Sequence, residues 1–183
     1  MEIIRGREHQ KISNFNESLT GEKLSLEQRL TRLENIEAIK QLKYQYAGYC
    51  DNQYNPDGIA SLFTDDGHWI VTGVGGEATG HEEMKKHFTA LAKDIVWALH
   101  YVSAPEIDVA SDGNSATGKF YLLCLCSIIR ENDRSQKDAV ILTGNYVDQF
   151  VKINGKWYFK ELSGVIHQAS QWTEGWVRQQ WLG

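Results

Sequence analysis

Asp51 and His100 are the residues of this chain best suited to chemistry. Asp51 comes at the end of a long predicted helix, where the helix dipole disfavours a negative charge, and His100 lies in the apolar segment Trp97 to Val102. A carboxylate beside a partly buried histidine orients one ring nitrogen, so that the other nitrogen can take up or release a proton. The two residues could therefore form an acid–base dyad. The alternative is a solvated turn aspartate and a hydrogen-bonded core histidine.

Two tyrosines precede Asp51 on the same predicted helix. Tyr46 and Tyr49 are three residues apart, so they point to roughly the same face of the helix. Their hydroxyl groups could polarise a carbonyl group or protonate a leaving group.

The sequence motifs do not indicate a metal or phosphate site. No two histidines have the i, i+4 spacing that directs two imidazoles at one ion. The glycines at 73, 75 and 76 are not followed by the Gly-Lys-Ser/Thr of a phosphate-binding loop. Cys50, Cys124 and Cys126 are an odd number of cysteines, and we expect buried free thiols rather than a disulfide framework. We therefore expect no metal.

The composition excludes several classes of protein. The chain has 183 residues, 42% of them hydrophobic and 23% charged, with a formal net charge of −5. This is the length and composition of one globular domain. An acidic chain with no run of Lys and Arg is poorly suited to bind nucleic acid or an anionic membrane. We find no apolar run of about 20 residues, as a membrane-spanning helix would need, and no signal-peptide pattern, so we expect a cytoplasmic protein.

A long helix must position the tyrosines and Asp51. Ser25 and Gln28 have the spacing of a capping box, and apolar residues then recur in steps of three and four. This pattern predicts a helix that ends near Asp51-Asn52. We further predict a short helix from Asn55-Pro56 to Phe63, a turn over residues 64–67 and a third helix over residues 81–92.

The remaining elements are predicted strands. Asp112-Gly113 and Asn154-Gly155 are typical hairpin turns between them, and Gly118 and Gly144 are placed where a sheet could bend. Helices followed by a run of strands predict an α+β domain, with the helices packed inside a strongly curved antiparallel sheet. The predicted strands cover residues 68–71, 98–109, 116–130, 139–152 and 156–167.

Three regions are expected along the chain. Residues 1–24 form a polar N-terminal arm, residues 25–168 form the folded domain, and residues 169–183 form a tail with three tryptophans. Large aromatic rings are seldom left in a free tail, so we expect the tail to cover the mouth of the cone or to fill a subunit interface.

Several segments together resemble the SnoaL-like branch of the NTF2-like superfamily. Each is weakly specific, but their order and spacing match over residues from about 26 to 168. The matching segments are Leu33 to Leu42 followed by Tyr46 and Asp51, Ile59 to Gly67, Gly80 to Met84, His100 in the first long strand, and the hairpin from Gly144 to Tyr158.

The resemblance implies a cone-shaped α+β fold. Dehydratase and dehydrochlorinase members of this family use an Asp–His dyad in the cone, with tyrosines around it and no cofactor. Asp51 and His100 match the two dyad positions, and Tyr46 matches a pocket tyrosine. We expect Tyr49, Trp69, Trp97 and Tyr121 to contact the substrate.

The chain also departs from the family pattern. Several of those enzymes place an arginine on the last strand, where this chain has Lys160 and Glu161, so Glu161 is a candidate substrate contact. The second long strand, Phe120 to Cys126, is apolar where a polar residue is expected. His167 could supply a second proton-transfer group or face solvent.

The resemblance implies a lyase of the dehydratase type, or an isomerase, acting on a small, largely apolar, ring-containing molecule. Two alternatives remain open: a small-molecule-binding module without catalysis, and a partner subunit like the small subunit of ring-hydroxylating dioxygenases. The second long strand is apolar on both faces, as strands buried on both sides are. We therefore expect a homo-oligomer, a trimer or a dimer.

Overall fold

The computed structural model describes residues 23–73 and 75–182. The predicted arm therefore lies almost wholly outside the described residues. The chain forms helices α1 (Leu26–Asp51), α2 (Pro56–Ala60), α3 (Gly80–Leu91) and α4 (Gly175–Arg178), and strands β1 (Phe63–Thr72), β2 (Gly76–Thr79), β3 (Ile95–Val109), β4 (Ser115–Ile129), β5 (Lys137–Ile153) and β6 (Lys156–Gln171).

The start of α1 is fixed by a capping box. The Ser25 hydroxyl oxygen accepts from the backbone N–H of Gln28 at 3.1 Å, and the Gln28 side chain accepts from the backbone N–H of Ser25 at 2.8 Å. These two bonds satisfy donors that a helix N-terminus otherwise leaves unpaired. The helix then runs unbroken to Asp51, as its sequence pattern predicted.

The six strands form one mixed sheet in the order β2-β1-β6-β5-β4-β3. The α+β fold class is confirmed, with one difference in strand direction. The pairs along β6-β5-β4-β3 and the β1–β2 pair are antiparallel, whereas β1 and β6 are parallel. The parallel pair arises because the chain crosses from β1 to the far edge of the sheet before it returns, hairpin by hairpin, to β6.

One local prediction at β1 was wrong, and one strand beside it was not predicted. Residues 64–67, predicted as a turn, belong to β1, with a register shift between Phe63 and His68. Strand β2 was not among the predicted strands, because only Ala78 of its four residues is buried and so the segment has little hydrophobic pattern.

Close packing at two glycines accompanies the bend of the sheet. A Cβ at Gly144 would lie 2.4 Å from the carbonyl oxygen of Val165, and the β5–β6 register shifts beside it. A Cβ at Gly118 would lie 2.9 Å from the ring of Phe150. At both positions a side chain would push the curved sheet apart.

The concave face of the sheet and the helices enclose an aromatic core. The Phe159 ring stacks on Phe63 and meets Phe150 at a tilt, with centroids 5.0 Å apart in each pair. Within the described ranges, no helix is long and apolar enough to cross a membrane.

The tail is tied to the end of β6. The backbone carbonyl of Gln180 accepts from the N–H of Ala169 at 3.0 Å, and Leu182 packs against the core. The proposed domain boundary after residue 168 thus falls inside β6, which continues to Gln171. The three tail tryptophans, Trp172, Trp176 and Trp181, are exposed.

Candidate active site

Asp51 and His100 are in direct contact. Oδ1 of Asp51 lies 2.7 Å from His100 Nδ1 and accepts from the His100 backbone N–H at 2.9 Å. An ionised carboxylate only accepts hydrogen bonds, so Nδ1 of the neutral ring donates to it and Nε2 carries the free lone pair. The His100 side chain is 9% exposed and that of Asp51 is 26% exposed. The two donors on Asp51 offset its unfavourable position at a helix C-terminus.

His100 Nε2 has no hydrogen-bond partner among the described residues. The ring meets Tyr54 edge to face, with centroids 5.9 Å apart, and His100 pairs with Cys124 across β3 and β4. Both neighbours lie on the concave side of the sheet. The His100 ring therefore lies in a mostly apolar setting.

Polar contacts along α1 hold Asp51 in place. The Asn35 side chain accepts from Lys152 Nζ at 2.8 Å and from Trp157 Nε1 at 3.2 Å. Two turns further on, Lys43 is bonded to Asp148 on β5. These bonds join α1, whose last residue is Asp51, to strands β5 and β6.

The Lys43–Asp148 ion pair was not anticipated. Lys43 Nζ lies 2.8 Å from Asp148 Oδ2, both side chains are 0% exposed, and the ammonium group sits 3.3 Å from the Tyr146 ring centroid. Burial lowers the pKa of Lys43 and raises the pKa of Asp148 to about 6, and each partner's charge opposes this. The backbone N–H of Ser163 also donates to Asp148. The pair places a compensated charge inside the cone.

Tyr46 is buried on α1, five residues before Asp51. Its hydroxyl oxygen accepts from Trp69 Nε1 at 2.8 Å, and its ring meets Phe159 edge to face. Burial raises the pKa of Tyr46. Trp69 is also buried, on the concave face, and stacks on His87. Tyr46 and Trp69 thus form part of the inner wall and are bonded to each other.

Tyr49 packs against the short helix α2 rather than beside His100. A Cβ on Gly58 would lie 2.5 Å from the Tyr49 ring, so the ring covers that glycine. Tyr46 and Tyr49 therefore have different surroundings although they are three residues apart.

Trp97 and Tyr121 lie on the convex face of the sheet. Side chains alternate along a strand, and His100 and Ala98 face the cone, so Trp97 faces outward. Tyr121 pairs with Ser103 on the same outer face. Trp97 is 51% exposed and Tyr121 is 61% exposed. The structure does not bring these two rings together with the dyad.

Glu161 and His167 are also outside the cone. The register between β5 and β6 shifts between Gln149 and Phe150, so Glu161 faces outward and lies 3.5 Å from His68 Nδ1. His167 is exposed, and its Nε2 lies 2.7 Å from Asn145 Oδ1. Neither side chain contacts Asp51 or His100.

The cysteines are free and buried, as expected. Cys124 and Cys126 face the cone from β4, and Cys50 faces it from α1. No group of three or more His, Cys, Asp or Glu residues within the described part of the chain is arranged to bind a metal ion.

Comparison with known proteins identifies the fold and the family of this chain. LinA matches with a TM-score of 0.70 at 19% identity, over 79% of this chain and 93% of that chain. The LinA-type3 hexachlorocyclohexane dehydrochlorinase from Novosphingobium barchaimii LL02 matches with a TM-score of 0.67 at 22% identity, over 78% of this chain and 92% of that one. A scytalone dehydratase-like protein from Novosphingobium aromaticivorans DSM 12444 matches with a TM-score of 0.67 at 24% identity, over 78% and 90% of the two chains.

These likenesses establish the shared fold. The family model of the SnoaL-like domain matches residues 31–163, which include both Asp51 and His100. Because this match spans most of the chain, the protein belongs to the family of SnoaL-like domains in the NTF2-like superfamily.

Proposed function

We propose that this protein is a cofactor-independent lyase or isomerase, in which His100 is the general base and Asp51 orients it. One observation carries the proposal. Asp51 Oδ1 contacts His100 Nδ1 at 2.7 Å, and His100 Nε2 has no hydrogen-bond partner among the described residues. A base must reach its proton directly and keep its lone pair available, and this arrangement supplies both conditions.

In the proposed reaction, Nε2 of His100 removes a proton from a carbon next to an activating group such as a carbonyl. The electron pair of the broken C–H bond forms a carbon–carbon double bond. In an elimination, a leaving group departs with its electron pair from the adjacent carbon and receives the proton back from His100. In an isomerisation, the carbonyl π electrons move onto the oxygen to give an enolate conjugated with a double bond of the substrate, and the proton returns to the far end of that double bond as the carbonyl re-forms. Asp51 stabilises the imidazolium that forms in either case.

The substrate is proposed to be small, neutral and largely apolar. Among the described residues, Lys43 and Asp148 are the only buried side chains with a formal charge, and they compensate each other. The remaining inner wall is aromatic, aliphatic and thiol. Such a wall favours an apolar ring over a charged ligand. The names of two structural neighbours, a hexachlorocyclohexane dehydrochlorinase and a scytalone dehydratase-like protein, support an elimination on a ring.

Tyr46 and Trp69 have a positioning role in this proposal. Their mutual hydrogen bond joins two residues of the inner wall, and the Tyr46 oxygen is the acceptor in that bond.

The test is exchange of an acidic carbon-bound proton. The ring ketone 2-tetralone is incubated with the protein in D₂O, and loss of its α-proton signal is followed by NMR. Wild-type protein should accelerate the exchange above the buffer rate. His100→Gln should slow the protein-catalysed exchange by about 10²- to 10⁴-fold, the range typical of general acid–base catalysis, and Asp51→Asn should slow it while the fold is kept. Equal rates for wild-type and His100→Gln protein would refute the assignment of His100.

A binding module is distinguished by the same experiment. Saturable binding of 2-tetralone together with exchange at the buffer rate would favour binding without catalysis.

A further inference from the structure

Tyr54 is the tyrosine whose ring lies against His100. Their ring centroids are 5.9 Å apart at an angle of 85°, and the other face of Tyr54 stacks on Phe88 with centroids 6.2 Å apart. The ring is thus held from both sides. Tyr54 is therefore in direct contact with the proposed base.

The backbone of Tyr54 is in an unusual conformation. After α1 ends, Gln53 and Tyr54 adopt φ values of 56° and 49°. Two consecutive left-handed residues without a glycine are strained, and a bulky aromatic residue there is a clear outlier. The strain turns the chain back so that the Tyr54 N–H reaches the Cys50 carbonyl at 3.1 Å and the ring enters the cone. Such outliers concentrate at functional sites.

The Tyr54 hydroxyl is unpaired although the residue is only 6% exposed. It has no hydrogen-bond partner among the described residues, and it is not one of the fully enclosed polar atoms, so it borders accessible space. A hydroxyl that makes no bond within the fold adds no intramolecular hydrogen bond to its stability. Phenylalanine would fill the same ring position, so the fold alone does not explain the hydroxyl.

The proposed function needs a donor at this place. As His100 takes the proton, negative charge develops on the carbonyl oxygen of the substrate, and a fixed hydrogen-bond donor lowers the barrier. The Tyr46 oxygen accepts from Trp69 Nε1 on the inner wall, and the Tyr49 ring covers Gly58. Tyr54 is the tyrosine whose ring contacts His100, the proposed base.

We propose that Tyr54 is a second catalytic residue, whose hydroxyl donates a hydrogen bond to the substrate oxygen while His100 Nε2 removes the neighbouring proton; this rests on the proposed function. The C–H bond breaks, its electron pair forms the carbon–carbon double bond, and the carbonyl π electrons move to the oxygen. The phenol keeps its own proton throughout. Burial raises the pKa of Tyr54 well above its ordinary value, which keeps the hydroxyl protonated as the donor role requires.

The experiment compares Tyr54→Phe with a matched control, Tyr44→Phe. Tyr44 is an exposed tyrosine on α1, so its variant removes a hydroxyl far from any enclosed space. Three quantities are measured for each: the exchange rate of 2-tetralone in D₂O, the affinity for 2-naphthol as a planar mimic of the enol, and the melting temperature. His100→Gln is measured alongside.

Tyr54→Phe should lower the exchange rate by about 10²-fold and weaken 2-naphthol binding about tenfold. Its melting temperature should be close to that of the wild type, because the Tyr54 hydroxyl makes no hydrogen bond among the described residues. Tyr44→Phe should match the wild type in all three measurements.

The outcomes separate this inference from the proposed function. If His100→Gln loses exchange but Tyr54→Phe retains both the wild-type rate and the wild-type affinity, the role of Tyr54 is overturned and the dyad stands. If Tyr54→Phe loses rate and melting temperature together, Tyr54 is a structural residue and the inference also fails. If wild-type protein shows no exchange above buffer, the proposed function is contradicted, and the catalytic role of Tyr54 with it.

Discussion

Lys43 and Asp148 form a buried ion pair that connects α1 to β5 below the dyad. Removing one partner leaves an uncompensated buried charge, whereas removing both leaves none. Lys43→Met or Asp148→Val alone should therefore lower the free energy of unfolding by about 3–5 kcal/mol. The double variant should lose much less than the sum of the two, as measured by urea denaturation. Additive losses would show that the two charges do not depend on each other.

The burial of Lys43 is consistent with the spacing of residues in the sequence, although it was not predicted. The predicted apolar stripe of α1 includes Ile39, Leu42, Tyr46 and Tyr49, but the buried face of the helix is centred on Lys43, Tyr46 and Cys50. The positions 39, 43, 46 and 50 also have steps of four, three and four, as one helix face requires. A lysine on such a face is usually assumed to be exposed, and only its partner on β5 explains why it is buried.

The end of α1 is the element that brings the site together. Its last residue is Asp51, and the chain then reverses through Gln53 and Tyr54 at positive φ. The sequence predicted where the helix ends but not this reversal, because neither residue is the glycine that usually marks a left-handed conformation. Tyr54 was therefore not among the candidate site residues.

The strain at Gln53 gives a direct test of this turn. Gln53 is exposed and has φ 56°, where glycine has no steric penalty. Gln53→Gly should raise the free energy of unfolding by up to about 1 kcal/mol, because the relief of about 1–2 kcal/mol exceeds the added chain entropy. Gln53→Ala, which keeps a Cβ, should give no such gain. A destabilised glycine variant would contradict the strained turn.

Strand alternation explains why Trp97 lies outside the cone. Trp97 is an odd number of residues from His100 on one strand, so the two side chains point to opposite faces. The opposite directions of Trp97 and His100 could therefore be predicted from the sequence. The outward direction of Glu161 could not be predicted, because it depends on the register shift between Gln149 and Phe150.

At the scale of the whole molecule, the convex face of the sheet exposes large apolar side chains. The face is apolar across neighbouring strands and has no formal charge at its centre, where Tyr101 pairs with Leu123 and Leu99 pairs with Leu125. Tyr101 is 52% exposed and Leu123 is 38% exposed. An apolar patch of this kind favours association, and we propose that a second copy of the chain covers it.

Light scattering after size exclusion tests this association. Wild-type protein at micromolar concentration should be a dimer or a trimer, and Leu123→Lys should shift it towards the monomer because burying a lysine in an apolar interface is costly. Leu30→Lys, at an exposed apolar position on α1, is the control and should leave the mass unchanged. A monomeric wild type would rule out the association.

The most direct test of the dyad is the protonation of His100 itself. Long-range ¹H–¹⁵N NMR distinguishes a protonated ring nitrogen from a bare one. With the ring neutral, we predict that Nδ1 carries the proton, held by Asp51 at 2.7 Å, and that Nε2 is bare. In Asp51→Asn protein this tautomer preference should weaken or reverse. A wild-type spectrum with the proton on Nε2 would contradict the account, because His100 would then have no free base nitrogen in the cone.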